Sequence, residues 1–270
     1  MSDAPSAKTP VFFIHGLWLH RESWNKWIAF FRERGYAASA ASWPGDSATT
    51  AESREHADAL AGYGVAEIAE YIAKQIEALP TKPIIIGHSF GGLLVQNLLG
   101  RDYAAAGIAI DSATPKGVSD LPYSALKSAF PVLSNPFNFN RAVPLTEAEF
   151  RFGFANAVSE SEANELYATY AMPGPGRPIF QVATASLNPH PATEVNIANA
   201  TRGPLLLIAG EKDNTVPTVM VESTLKLYHK LSSAVTEFKE FPNRGHSLVL
   251  DSGWREIAEY SLSWLQSKGF

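Results

Sequence analysis

The sequence predicts a doubly wound α/β fold: a mostly parallel sheet of about six strands, flanked by helices and interrupted by one long insertion. Three observations carry this. Short, continuous apolar runs recur along the chain, segments of helical periodicity separate them, and between about residues 114 and 199 the alternation stops before resuming in the same style. Unbroken apolar runs joined through helices are the mark of parallel strands covered on both faces.

The elements follow in order. Val11-Phe12-Phe13-Ile14 is a short buried strand ending at His15-Gly16. Residues 23–34 carry Trp24, Trp27, Ile28 and Phe31 at helical spacing, with Ser23 placed to cap the start and Gly35 to stop the end. Residues 36–43 read as a strand of small residues closed by Pro44-Gly45, while the polar, alanine-rich residues 46–60 carry no decisive period. Residues 65–79 form a helix with Ile68, Ile72, Ile76 and Leu79 on one face and Pro80 just past its end. A strand at 84–86, a helix after Gly91 and a strand at 108–110 complete the first half. Inside the insertion, helical signals are modest, at 146–154 and 159–170, and Pro173-Gly174-Pro175-Gly176 ends the second. The alternation then resumes with a strand at 205–208, a helix at 219–231, a strand at 235–241 and a helix at 254–267. The expected organisation is a core of residues 10–113 and 200–270, a cap-like insertion at 114–199, and a short mobile tail at 1–9.

Composition narrows the chemistry. The 270 residues include 46% hydrophobic and 18% charged, with 15 Phe and 6 Trp, enough to build a sizeable core. A net charge of -5 without runs of like charge speaks against a nucleic-acid surface. There is no cysteine, so disulfides, thiolate metal sites and thiol nucleophiles are excluded, leaving oxygen and imidazole chemistry. The first ten residues lack the apolar centre of a signal peptide and no stretch is apolar enough for a membrane span, so a cytoplasmic location is the default expectation, with no membrane partner.

The segment Gly87-His88-Ser89-Phe90-Gly91 joins an apolar strand to a helix. A strand, a G-x-S-x-G turn and a helix make an elbow so tight that the residues two before and two after the serine must lack side chains, and the hydroxyl is thrust out above the strand end. The spacing alone is a weak signal, and the context strengthens it. The plainer alternative is a glycine turn whose serine caps the helix. Serine needs an activating base, an acid to orient that base, and donors for an oxyanion.

With Gly92, His15-Gly16, Gly210-Glu211-Lys212-Asp213 and Gly245-His246, the chain resembles the α/β-hydrolases over nearly its whole length outside the insertion. In that fold the nucleophile, acid and histidine follow in this chain order, on loops at the carboxyl ends of strands. The resemblance implies a serine hydrolase with Ser89 as nucleophile, Asp213 as acid and His246 as base. Glu211 and Asp111 stay open as alternative acids, and Asp213 can also be read as a turn carboxylate bonding its own backbone. The oxyanion would sit on the backbone N–H groups of Leu17 and Phe90. Trp18 and His190 are candidates to line the substrate pocket, His88 is expected to be a packing residue, and Asp251 to cap the last helix. The chain opens at what would be the family's third strand, hence about six strands. The implied activity is hydrolysis of a small to medium hydrophobic carboxylic ester or lactone through an acyl-enzyme, with no cofactor and no metal. Carbon–carbon bond hydrolysis, acyl transfer, perhydrolysis and a small-molecule receptor remain alternatives. Because all the assigned groups lie outside the insertion, the insertion is expected to govern substrate fit and not the reactivity of Ser89. The oligomeric state is not legible.

Overall fold

The computed structural model describes residues 9–270, so all but Thr9 of the expected tail lies outside the described residues. The strands are β1 (Val11–Ile14), β2 (Ala38–Ala40), β3 (Ile84–His88), β4 (Ala106–Ile110), two short pieces β5 (Ala142–Val143) and β6 (Gly174–Pro175), then β7 (Leu205–Gly210) and β8 (Thr236–Phe241). Six of them form one sheet in the order β2-β1-β3-β4-β7-β8, every pairing parallel. The order reverses between β1 and β3, and in open α/β sheets the crevice beyond the strand ends at that point is where ligands bind. Registers fix what meets there. Ile14 pairs with Gly87, His88 with Ile110, and Ile110 with Ile208, so the loops after β1, β3, β4 and β7 emerge side by side.

The helices are α1 (Asn25–Arg32), α2 (Thr50–Glu55), α3 (Val65–Glu77), α4 (Phe90–Gly100), α5 (Tyr123–Leu133), α6 (Glu147–Gly153), α7 (Glu160–Tyr170), α8 (Arg177–Ala183), α9 (Thr218–Leu231) and α10 (Trp254–Ser267). Ile84, Ile85 and Ile86 are wholly buried, as two-sided cover requires. Next to β1 an aromatic cluster does the packing: Phe13 stacks on Trp24 at 4.9 Å and meets Phe31 edge-on at 5.6 Å. α4 is apolar nearly all round and buried along its length, fitting a helix wedged between sheet and neighbours.

Several elements differ from the sequence expectation. The segment at 23–34 begins as a 3₁₀ turn, Arg21–Trp24, started by His20, whose ring accepts from the Glu22 N–H at 3.3 Å. His20 is buried. The undecided residues 46–60 contain α2, capped by Thr49, which accepts from Glu52 N–H at 3.2 Å.

Within the insertion, α6 and α7 start where their caps say. Thr146 and Glu149 form a capping box, and Ser159 accepts from Glu162 N–H at 3.2 Å. The Pro-Gly segment that ends α7 also supplies β6, antiparallel to β5. α5 and α8 are new relative to the sequence reading. Pro131 sits inside the first and Pro178 in the opening turn of the second, so both resemble loop sequence. The insertion is also tied to the core away from its roots: the Arg54 guanidinium donates to the carbonyls of Ala168 at 2.8 Å and Ala171 at 2.7 Å, a cation at the carboxyl end of α7.

Candidate active site

Ser89 stands at the turn between β3 and α4 with φ 56° and ψ -121°, a left-handed conformation that a serine adopts only when its surroundings impose it. The turn is fixed from both sides. Its N–H donates to Ile110 O at 2.9 Å, and its carbonyl accepts from Gly92 N–H at 2.9 Å and Ala113 N–H at 3.0 Å. A side chain on Gly87 would run into the Gly91 carbonyl, and one on Gly91 into the carbonyls of Ile14 and His15. The two glycines are therefore required by close approach, as the motif implies.

The loop after β1 lies against this turn, because a Cβ on Gly16 would fall 2.8 Å from Ser89 Cβ. Leu17, next in the chain, is buried there. Phe90 is the first residue of α4, so its N–H has no acceptor within the helix. His15 anchors the loop: its Nε2 lies 3.1 Å from Asp46 Oδ2, Asp46 accepts from Trp43 N–H at 2.7 Å, and the imidazole stacks on Trp43 at 4.7 Å. Asp46 went unnoticed in sequence because its partner is a strand end 31 residues away.

His246, between β8 and α10, is fully buried, with Nδ1 2.6 Å from Asp213 Oδ2. Its Nδ1–H therefore donates to that carboxylate, and Nε2, buried and without a hydrogen-bond partner among the described residues, carries the free lone pair. Asp213 Oδ1 accepts from the N–H groups of Thr215 at 2.6 Å and Val216 at 2.9 Å. One Asp213 oxygen thus bonds its own turn and the other the imidazole. Glu211 points elsewhere and accepts from Asn243 N–H at 2.7 Å. Asp111 stays close, with Oδ2 3.9 Å from His246 Nδ1.

Supports of the histidine loop were harder to read from sequence. His88 is more than packing: its Nε2–H donates to the His246 carbonyl at 2.8 Å, and burial, then the facing His246, hold it well below the ordinary imidazole range, so it is neutral. The Asp251 carboxylate accepts from the N–H of Gly253, the residue just ahead of α10, at 3.0 Å. It also accepts from Ser247 Oγ at 2.8 Å and pairs with Arg244, clamping the residues on either side of Gly245-His246.

The insertion also contacts the loops that carry His246 and Asp213. Phe154 meets the His246 ring edge-on at 4.7 Å, and its carbonyl accepts from Ser247 N–H at 2.8 Å. Gly153 O accepts from Thr215 Oγ1 at 2.9 Å, and Asn214 Nδ2 donates to Phe152 O at 3.0 Å. One stretch of the insertion therefore braces the loops of both Asp213 and His246.

An apolar cavity of about 730 Å³, counted to its open mouth, adjoins Ser89 and Phe90. α5 and α8 of the insertion form one wall, through Ala125, Ala129 and Val182, and Val216 and Met220 form another. No lining residue is charged. Trp18 belongs to the lining and is held by its indole N–H, which donates to Val143 O at 2.9 Å. His190 does not line it: its side chain is 89% exposed, 3.8 Å from Glu194, because the loop carrying it turns outward. His88, Asp111 and His246 bring ligand-type atoms within 4.8 Å of one another, and each also bonds a protein group through another atom: the His246 carbonyl, Gly210 N–H and Asp213 respectively.

This fold is that of a hydrolase family. The profile of the alpha/beta hydrolase family matches residues 11–260, and the chain belongs to that family. No curated protein sequence matches it significantly. Among solved structures it is similar to an extracellular alpha/beta-hydrolase from a Paenibacillus species, at 19% identity and TM-score 0.70, covering 95% of this chain and 98% of that one. A methylesterase from Arabidopsis matches at 16% identity and TM-score 0.65, covering 96% and 99%. A monoacylglycerol lipase from Paleococcus ferrophilus matches at 20% and 0.65, covering 96% of each chain. At these identities the likeness is one of fold. No helix among the described residues is long and apolar enough to cross a membrane.

Proposed function

We propose that the protein is a serine hydrolase acting on small to medium, uncharged, hydrophobic carboxylic esters or lactones, with all the chemistry supplied by its own side chains and backbone. The observation that carries this reading is the strained Ser89 at an uncharged apolar cavity, in a site where the Asp213-held imidazole of His246 keeps its Nε2 unbonded. Ser89 Oγ attacks the substrate carbonyl carbon while His246 Nε2 takes its proton, and the N–H groups of Leu17 and Phe90 receive the oxyanion. His246 then gives the proton to the departing alkoxide as the carbon–oxygen bond breaks. Water attacks the acyl-enzyme with His246 again as base, releasing the acid and restoring Ser89. Asp213 keeps the imidazole in the tautomer this requires and stabilises the imidazolium. Fixed N–H donors of this kind are each worth about 3–4 kcal/mol at the transition state.

The cavity supports an uncharged substrate because a carboxylate or ammonium placed there would lose its water with no countercharge among the lining residues. The test is fluorophosphonate labelling followed by a panel of esters, lactones and carbon–carbon bond substrates. Labelling of wild type and not of Ser89→Ala, together with turnover of alkyl esters, is the expected outcome. Asp213→Asn should lower kcat by roughly 10²- to 10⁴-fold. Labelling that persists in Ser89→Ala would remove the nucleophile from the proposal.

A further inference from the structure

Asp111 is a buried carboxyl to which the hydrolytic cycle gives no task. It follows β4 at φ 43° and is 0% exposed. Oδ1 accepts from Gly210 N–H at 2.7 Å. Oδ2 is buried, no protein donor among the described residues reaches it, and it lies 3.9 Å from the His246 nitrogen that Asp213 holds at 2.6 Å. Asp111 Oδ2 and Asp213 Oδ2 therefore face the same imidazole nitrogen.

Two carboxyl groups thus share one imidazole in a dry interior. His88 faces the same space as a neutral ring, and Asp251, farther off, has its charge answered by Arg244. Neither Asp111 nor Asp213 has a Lys or Arg partner among the described residues. Two like charges facing one imidazole nitrogen in a dry interior cannot both persist, so one group keeps its proton. Which one is decided by solvation. Asp213 accepts two backbone N–H bonds and the His246 Nδ1–H, whereas Asp111 accepts one backbone N–H.

We propose that Asp111 is a positioning residue that remains a neutral carboxylic acid and donates its Oδ2 proton to the Asp213 carboxylate, so that the pair presents a single negative charge to His246. The orphaned Oδ2 is then a donor and no longer an unsatisfied acceptor. Burial, and next the Asp213 charge, push Asp111 well above the usual carboxylate range, in the same direction. The donated bond holds the Asp213 carboxylate in the orientation that meets Nδ1–H. That last role rests on reading His246 as the base, whereas the protonation state does not.

The experiment separates the two. Asp111→Asn keeps the size, an oxygen for Gly210 N–H and an N–H donor for Asp213, but has no proton to lose. The unfolded chain ionises Asp111 above its ordinary value near pH 4. The native chain is proposed to retain that proton, so wild type loses stability relative to the variant as pH rises. In urea titrations between pH 5 and pH 8, the ratio of the variant's folding constant to that of wild type should rise about tenfold per pH unit. A flat ratio means that Asp111 is charged in the native protein and overturns the proposal, without reference to any substrate. For positioning, Asp111→Val should lower kcat about tenfold or more with KM little changed, and Asp111→Asn should recover most of that loss. The acid limb of kcat/KM in Asp111→Asn should stay in place. A fall by a unit or more would mean that a negative charge had been removed, which overturns the proposal equally; should Asp111→Val fail to fold, the Asp111→Asn measurements decide alone.

Discussion

His88 Nε2 lies 2.8 Å from the carbonyl oxygen of His246, so the residue before the proposed nucleophile holds the backbone of the proposed base. This bond requires a proton on Nε2, and burial of the unpartnered Nδ1 keeps the ring neutral.

A pH dependence of stability follows. The folded-state value of His88 is depressed well below 6.5 by burial and by the facing His246, while the unfolded chain takes up the proton near 6.5. Above that pH neither state binds the proton, and the contribution of the neutral ring is complete. Below it only the unfolded chain does, so stability falls by about 1.4 kcal/mol for each further unit. The difference in urea-unfolding free energy between wild type and His88→Gln, measured at pH 7.5 and 5.5, should change by about that amount in favour of the variant at the lower pH. Parallel curves would place a charged His88 in the folded state.

The left-handed backbone at Ser89 stores strain that glycine would release. Ser89→Gly is expected to raise stability by about 1 kcal/mol while removing turnover. Thermal unfolding checks this, with Ser89→Ala, equally inactive but still strained, as the comparison. Equal melting temperatures for the two would show that the turn is not strained in solution.

The bracing of the His246 loop by the insertion makes Phe154 a kinetic residue. Phe154→Ala should slow fluorophosphonate labelling by about tenfold or more, since the ring edge at 4.7 Å and the local path of the chain both steady the imidazole. For the same reason, replacing residues 116–192 with a linker should abolish labelling even where the core folds. Undiminished labelling in a folded Phe154→Ala variant would confine the insertion to substrate fit.

Cavity shape should set acyl preference. Ala129→Phe adds a ring to the α5 wall and should cut kcat/KM for long-chain esters by about 10- to 200-fold, with acetyl esters and the small phosphonate changed by less than about threefold. A uniform loss across chain lengths would place the acyl group elsewhere.

How much was legible follows from the range of the interactions. The six strands of the main sheet, α3, α9 and α10 announce themselves because periodicity is local, and the turn at Ser89 because its glycines stand two residues away on either side. The Asp213–His246 pair required knowledge of strand order as well, since 33 positions separate the two. His15–Asp46, His88–His246 and Phe154 on the His246 loop have no local signature. They depend on which loops the sheet brings together. The prolines in α5 and α8 pointed the wrong way, because proline in a first turn or a tolerated interior position carries the same letter as proline in a loop.

The β4–β7 pairing, Gly107 with Leu205 through Ile110 with Ile208, is where the two halves of the sheet are stitched across the whole insertion. Ser89, Asp111 and Phe154 lie before a break placed among the outward-facing residues 187–190, and Asp213 and His246 lie after it. Each fragment would carry one newly bared strand edge, β4 or β7, complementary to the other, and an incomplete set of the proposed reactive groups. Severed there, the chain is the blueprint of a two-part reporter: silent as separate pieces, with ester turnover on mixing as the measure of their encounter along a single seam.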